Sequence, residues 1–350
     1  MMTAAIAGPA AGSYDEALER LHRTGPEFAG WLSNHGPMAV EALARRGAGT
    51  AVSAWTDDYL GQLDDLPRGR FPIADDGWSD PLGDPTRTGD WVDFFRRQVR
   101  QHPWQQVVGT WWPRLLPGIA AGATHGVIRL GHALRAARTD PTEPRVDEIA
   151  HALAYWAARF QPVPLIRPQG TLGVGDALLA VPPIPDRSKG IRHRLRQLGE
   201  APGWAHHATQ AAGPTSAEDV PAALARLVDA TVAAYPRIAH GNATMLVHAA
   251  TAPNAVQLAL PSLPQVRWLD AYAAAWTATS AVVAAYRPDV LAPAEQRSSR
   301  DPGAEEVWDL AVADGGEHIV KLADTALDVW SRTGDERALR AIETAIRLGA

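Results

Sequence analysis

At 350 residues, 46% of them hydrophobic, the chain can bury a large core, and its length suits one large domain or two smaller ones. A net charge of -6 without a long basic run argues against nucleic acid or an anionic membrane surface as a partner, and leaves a small, mildly polar ligand. The chain has no cysteine, which rules out disulfides, iron–sulfur clusters, thiolate-ligated haem and thiol nucleophiles, so any metal must be held by nitrogen and oxygen.

Residues 1–12 lack the basic start and apolar core of a signal peptide, and no apolar run reaches the ~18 residues of a membrane span. A soluble cytoplasmic protein is expected. Helical spacing of apolar residues runs through 14–21, 38–45, 51–63, 91–100, 104–114, 125–138 and 146–160. It returns in 220–235, 238–260, 265–286, 304–311 and 317–333. Alternating runs that would read as strands are scarce. The reading is an all-α protein of about a dozen helices, in keeping with the abundance of Ala, Leu and Arg.

Boundary signals agree with this, among them Asp140-Pro141 and Thr215-Ser216 ahead of Glu218 and Asp219. Residues 161–190, rich in proline and glycine, cannot be regular helix and are read as a covering loop. The expected organisation is a flexible segment at 1–12 and a single all-helical domain over 13–350. No fixed-period repeat appears, which argues against a solenoid. The thirteen tryptophans, with Trp91, Trp104, Trp111 and Trp112 close together, are read as filling gaps between crossing helices, although some could wall a pocket for a flat aromatic ligand.

The motif search narrows the chemistry mainly by exclusion. Gly47 and Gly49 spell G-x-G, but they follow a helix and lack the third small residue, so no flavin or NAD(P) site is supported. There is no P-loop, no G-x-S-x-G elbow and no H-E-x-x-H helix. The twelve histidines carry more information. His22, His102, His151, His193, His206 and His207 lie among charged residues or in a Gly-rich and Ala-rich stretch and read as solvated. His35, His125, His132, His240, His248 and His318 have apolar or glycine neighbours, and neutral imidazole is a common ligand for borderline transition metals.

Helical geometry sorts these further. His318 and Lys321, at i and i+3, have Cβ atoms ~5–6 Å apart on one face and can converge on one ion. His125 and His132 are separated by about 10.5 Å along a helix axis, so one would bind metal and the other would support it. Lys321 has apolar neighbours in Ile319, Val320 and Leu322. An ammonium cannot bind a cation, but a buried lysine can lose its proton and take up carbon dioxide as a carbamate, an anionic oxygen ligand.

The segments Asn34-His35-Gly36-Pro37, Trp111-Trp112-Pro113-Arg114-Leu115-Leu116-Pro117-Gly118, His125-Gly126-Val127-Ile128-Arg129, His248-Ala249-Ala250-Thr251 and His318-Ile319-Val320-Lys321 resemble the questin oxidase-like proteins in order and spacing, over roughly 13–326. That resemblance implies a mononuclear non-haem iron enzyme of aromatic polyketide metabolism, associated with ring opening or Baeyer–Villiger-like oxygen insertion. It implies Fe(II) held by His35, His125, His248, His318 and a carboxylated Lys321. This chain departs from the fungal pattern in having Arg129 in place of a second histidine and His132 in place of a tyrosine.

His132 and Arg129 are accordingly the expected catalytic residues, with Arg129, Tyr155 and Trp156 as pocket-wall candidates, and which of His132 and His240 supports the metal is left open. The partners expected are an aromatic small molecule and dioxygen. The rival readings are a non-catalytic helical binding or scaffold protein and a zinc-type hydrolase. The hydrolase is disfavoured because such sites normally keep three protein ligands and an open water position.

Overall fold

Amphipathic helices dominate because the apolar residues recur at helical spacing and the chain offers few β-branched runs. A computed structural model describes residues 9–294 and 301–350. The fold is all-α: sixteen α-helices among the described residues and one two-residue antiparallel pairing. None of those helices is long and apolar enough to cross a membrane. The chain divides into two compact units, residues 1–162 with 261–264, and residues 163–260 with 265–350.

The first unit runs α1 (Pro9–Leu21), β1 (Glu27–Phe28), β2 (Leu32–Ser33), α2 (Gly36–Arg45), α3 (Gly49–Leu60), α4 (Thr88–Gln101), α5 (Trp104–Leu115), α6 (His125–Thr139) and α7 (Glu143–Ala158). Helix α7 packs against α4 and α6, and α2 packs against α1, α3 and α6. Trp91, Phe94, Phe95 and Trp111 form an aromatic cluster between α4 and α5, with ring centroids 4.8 to 5.8 Å apart. The gap-filling reading holds for Trp91 and Trp111 in this cluster; Trp91 donates its indole N–H to Pro81 at 3.2 Å, whereas Trp112 Nε1 is buried without a partner. Residues 9–12, assigned from sequence to the N-terminal segment, lie in α1, and residues 1–8 fall outside the described residues.

The second unit runs α8 (Val174–Ala180), α9 (Ile191–Arg196), α10 (Pro202–Thr209), α11 (Val220–Ile238), α12 (Ala243–Ala259), α13 (Trp268–Tyr286), α14 (Ala304–Asp314), α15 (Glu317–Thr333) and α16 (Glu336–Leu348). Helix α13 is buried at every residue from Ala271 to Tyr286, as expected of a helix apolar on all sides, and it packs on α12 and α11. Helix α8 is a correction: the proline-rich stretch 161–190 does contain regular helix, because the run Val174–Ala180 between the prolines is free to form it.

Helix α12 contains Pro253, which cannot donate to the carbonyl of Ala249. Thr279 of α13 donates its hydroxyl to that carbonyl at 3.2 Å, so the group is satisfied from the neighbouring helix.

Candidate metal-ligand residues

In the first unit, His35 stands at the start of α2 and His125 is the first residue of α6. Asn34 fixes the approach to α2: its amide donates to Thr24 Oγ1 at 3.1 Å and to the Gly25 carbonyl at 2.9 Å, and its Oδ1 accepts from Gly36 N at 2.9 Å. Gly36 lets Leu21 pack close, since a Cβ there would lie 2.5 Å from Leu21 Cδ2 and make that side chain shift. Together these account for the Asn-His-Gly-Pro spelling.

Ahead of His125, three successive residues take left-handed backbone, Gly122 (φ 52), Ala123 (φ 58) and Thr124 (φ 71). Two of them carry a Cβ, which makes this a strained turn of the kind that clusters at functional sites. The turn brings the Gly122 carbonyl within 2.5 Å of His125 Nδ1, which donates to it, so Nε2 carries the lone pair. That Nε2 lies 2.6 Å from His35 Nε2, with the two rings nearly perpendicular at 78°. A proton or a cation must lie between two nitrogens so placed, because facing lone pairs repel.

In the second unit, α12 carries His248, and α15 carries His318 and Lys321; the helices pack together and share a bond from Asn254 Nδ2 to Thr325 Oγ1 at 3.1 Å. The His248 and His318 rings are 5.2 Å apart at 73°. His248 Nδ1 donates to the Met245 carbonyl at 3.1 Å, and Glu317 Oε1 lies 3.5 Å from His318 Nδ1. In His125, His248 and His318 alike, Nδ1 faces an oxygen, the orientation usual for a histidine that binds metal through Nε2.

Burial first, and then the Lys321 charge, push His248 down to about 3, so its imidazole is neutral. Lys321 is wholly buried, its Nζ has no hydrogen-bond partner, and burial lowers it to about 7 against the opposing pull of Glu317. His318 and Lys321 stand at i and i+3 on α15, and the lysine does not reach solvent.

His132 and Arg129 both lie on α6, in separate buried charge networks. His132 Nδ1 is 2.8 Å from Glu41 Oε2, and Arg135 forks onto the same carboxylate. Burial alone would raise Glu41, but the Arg135 charge and the His132 bond outweigh it and bring it to about 2. Arg129 pairs with Glu148 at 2.5 and 2.8 Å. Tyr155 bonds Ser33 Oγ at 2.6 Å and is pushed up beyond the ordinary phenol range, chiefly by burial. Trp156 packs on Trp112.

Three sequence readings of the histidines need correction. His240 is exposed and bonds the Val290 carbonyl at 2.9 Å, because its apolar neighbours belong to a turn and not to a core face. His22 and His151, read as solvated, are 6% and 2% exposed. His22 bonds the buried Glu148 at 2.8 Å, and both imidazoles lie beside Asp147. Neither Glu41 nor Glu148 was read as part of a buried network, although a glutamate in the apolar run Met38–Ala44 is itself a signal.

Among known families, residues 32–162 match the model described as questin oxidase-like, which spans His35, His125, Arg129 and His132 and bears out the resemblance over that stretch. No curated protein matches the chain.

Proposed function

We propose that the chain is an oxidoreductase of the questin oxidase-like kind, in which His35, His125, His248, His318 and carboxylated Lys321 jointly hold one Fe(II) ion. Its substrate would be an electron-rich aromatic molecule of polyketide type, oxidised with dioxygen. The observation that carries this reading is Lys321. An amine buried completely without a partner is costly, and it becomes useful once converted to an oxygen ligand.

The donor set fits the metal: imidazoles with Nδ1 turned to oxygen, plus one anionic oxygen, suit a borderline divalent ion. Bound iron would supply one-electron chemistry with dioxygen. Carbamate formation balances simply, since the neutral Lys321 amine forms an N–C bond to carbon dioxide and releases one proton. His132 donates Nδ1–H to Glu41, so its Nε2 can take the proton of a phenolic substrate. Arg129, neutralised by Glu148, holds α6 in place.

The test is the iron content of the full-length chain with each histidine substituted in turn. The expected result is one iron per chain, lost equally on His125→Ala and His248→Ala, together with oxygen uptake on phenolic substrates. Iron that depends on substitutions in one unit alone would overturn the shared ligand set. Turnover that persists under strict anaerobiosis would overturn the oxygenase reading.

A further inference from the structure

We propose that His22, Asp147 and His151 form a second metal site, for a borderline divalent cation of the zinc type. The site lies wholly within the first unit and owes nothing to the residues assigned above to iron.

His22 follows the last residue of α1, and Asp147 and His151 are one turn apart on α7. One donor atom from each lies within 4.8 Å of the other two. Asp147 Oδ2 is 3.5 Å from His22 Nδ1 and 3.7 Å from His151 Nε2. These separations are long for hydrogen bonds but close to the edge of a ligand tetrahedron, ~3.3 Å for bonds of ~2.0–2.1 Å to zinc. The two imidazoles stack at 4.4 Å and 13°, so one ring must turn out of the stack for both lone pairs to reach one ion.

Two independent observations aim these atoms at a cation. His22 Nε2 is 2.8 Å from Glu148 Oε2, and that carboxylate is fixed by Arg129. A proton on Nε2 leaves the lone pair on Nδ1, facing Asp147, which is the carboxylate–histidine–metal relay. His151 Nε2 is buried without a hydrogen-bond partner. Burial above all pushes His151 well below the usual imidazole range, which keeps it neutral.

Arg96 forks onto Asp147, with Nε and Nη2 both bonding Oδ2 at 3.0 and 2.6 Å and Nε also reaching Oδ1 at 2.9 Å, so the ion would share this carboxylate with the guanidinium. Asp147 is 20% exposed and borders a cleft of about 500 Å³, also lined by Glu19, Arg23 and Glu143, which gives the ion a route in and a place for water as fourth ligand. Bound there, the ion would tie the end of α1 to α7, next to the Arg129 pair that anchors α6.

The test is a cobalt(II) titration of the metal-stripped full-length chain, read by visible absorption. The expected result is a four-coordinate cobalt spectrum that survives Lys321→Met and His248→Ala. His151→Gln and Asp147→Asn should each weaken it by about 100-fold or more, since even losing a supporting contact costs ~10–100-fold. Should His151→Gln fail to fold, Asp147→Asn carries the test from its partly exposed position. No such spectrum in the wild type, or one unchanged in Asp147→Asn, would overturn the proposal.

Discussion

Lys321 lies one helical turn beyond His318 on the same face of α15, with its amine completely buried and hydrogen-bonded to nothing. In a chain without metal this arrangement is a liability, so Lys321→Met should stabilise the metal-free protein by ~1–3 kcal/mol, the usual cost of an unsatisfied buried polar group. The same substitution should abolish iron retention. Paired denaturation and metal analysis would check both halves, and a metal-free variant less stable than wild type would show that the amine is well accommodated.

Glu41 predicts an acid-side loss of stability. Its folded value of about 2 lies below its ordinary value of 4.5, so its contribution is fully present above pH ~4.5 and is lost as pH falls toward 2. Glu41→Gln should flatten the profile in that window and cost ~3–5 kcal/mol at neutral pH, because it removes the counter-charge of Arg135. Urea midpoints measured from pH 2 to 7 would show it.

Thr279 should matter only because of Pro253. Removing its hydroxyl leaves the Ala249 carbonyl without that donor, so Thr279→Val should cost ~1–3 kcal/mol. In that background Pro253→Ala restores a backbone N–H to α12 and should recover much of the loss. If the double variant is no more stable than Thr279→Val, the linkage is wrong.

Gly126 allows α6 to approach α7. A Cβ there would stand 2.8 Å from Trp156 Cβ and 2.9 Å from its Cα, so Gly126→Ala should cost at least ~1–3 kcal/mol and displace the adjacent His125. Gly109 in α5 has nothing within 4 Å of an added Cβ, and Gly109→Ala should be neutral or stabilising by ~0.5–1 kcal/mol. Thermal melts of the two variants give the comparison.

Fold class was legible in the sequence because burial of a helix face leaves a period in the chain, and α1 to α7 and α11 to α15 follow that period closely. The reading failed where local chemistry overrides period. The run 238–260 is split because Asn242 caps α12 by accepting from Met245 N at 2.8 Å, and Gly241 lies so close to Tyr286 that a Cβ would be 2.2 Å from its carbonyl oxygen. Helices α8, α9 and α10 were missed because they are too short to show a period. Helix α16 was missed although Ala338, Leu339, Ile342 and Ala345 mark its buried face.

By itself the sequence determined the all-α class, the nitrogen-and-oxygen limit on any metal, and the helical pairing of His318 with Lys321, because composition and i, i+3 spacing are properties of the chain alone. Tertiary structure decided that Lys321 is sealed from water, that His240 is not, and that His22 and His151 are buried beside Glu148 and Asp147. Burial and tautomer depend on partners that arrive from other helices, so no local reading of these residues could have supplied them.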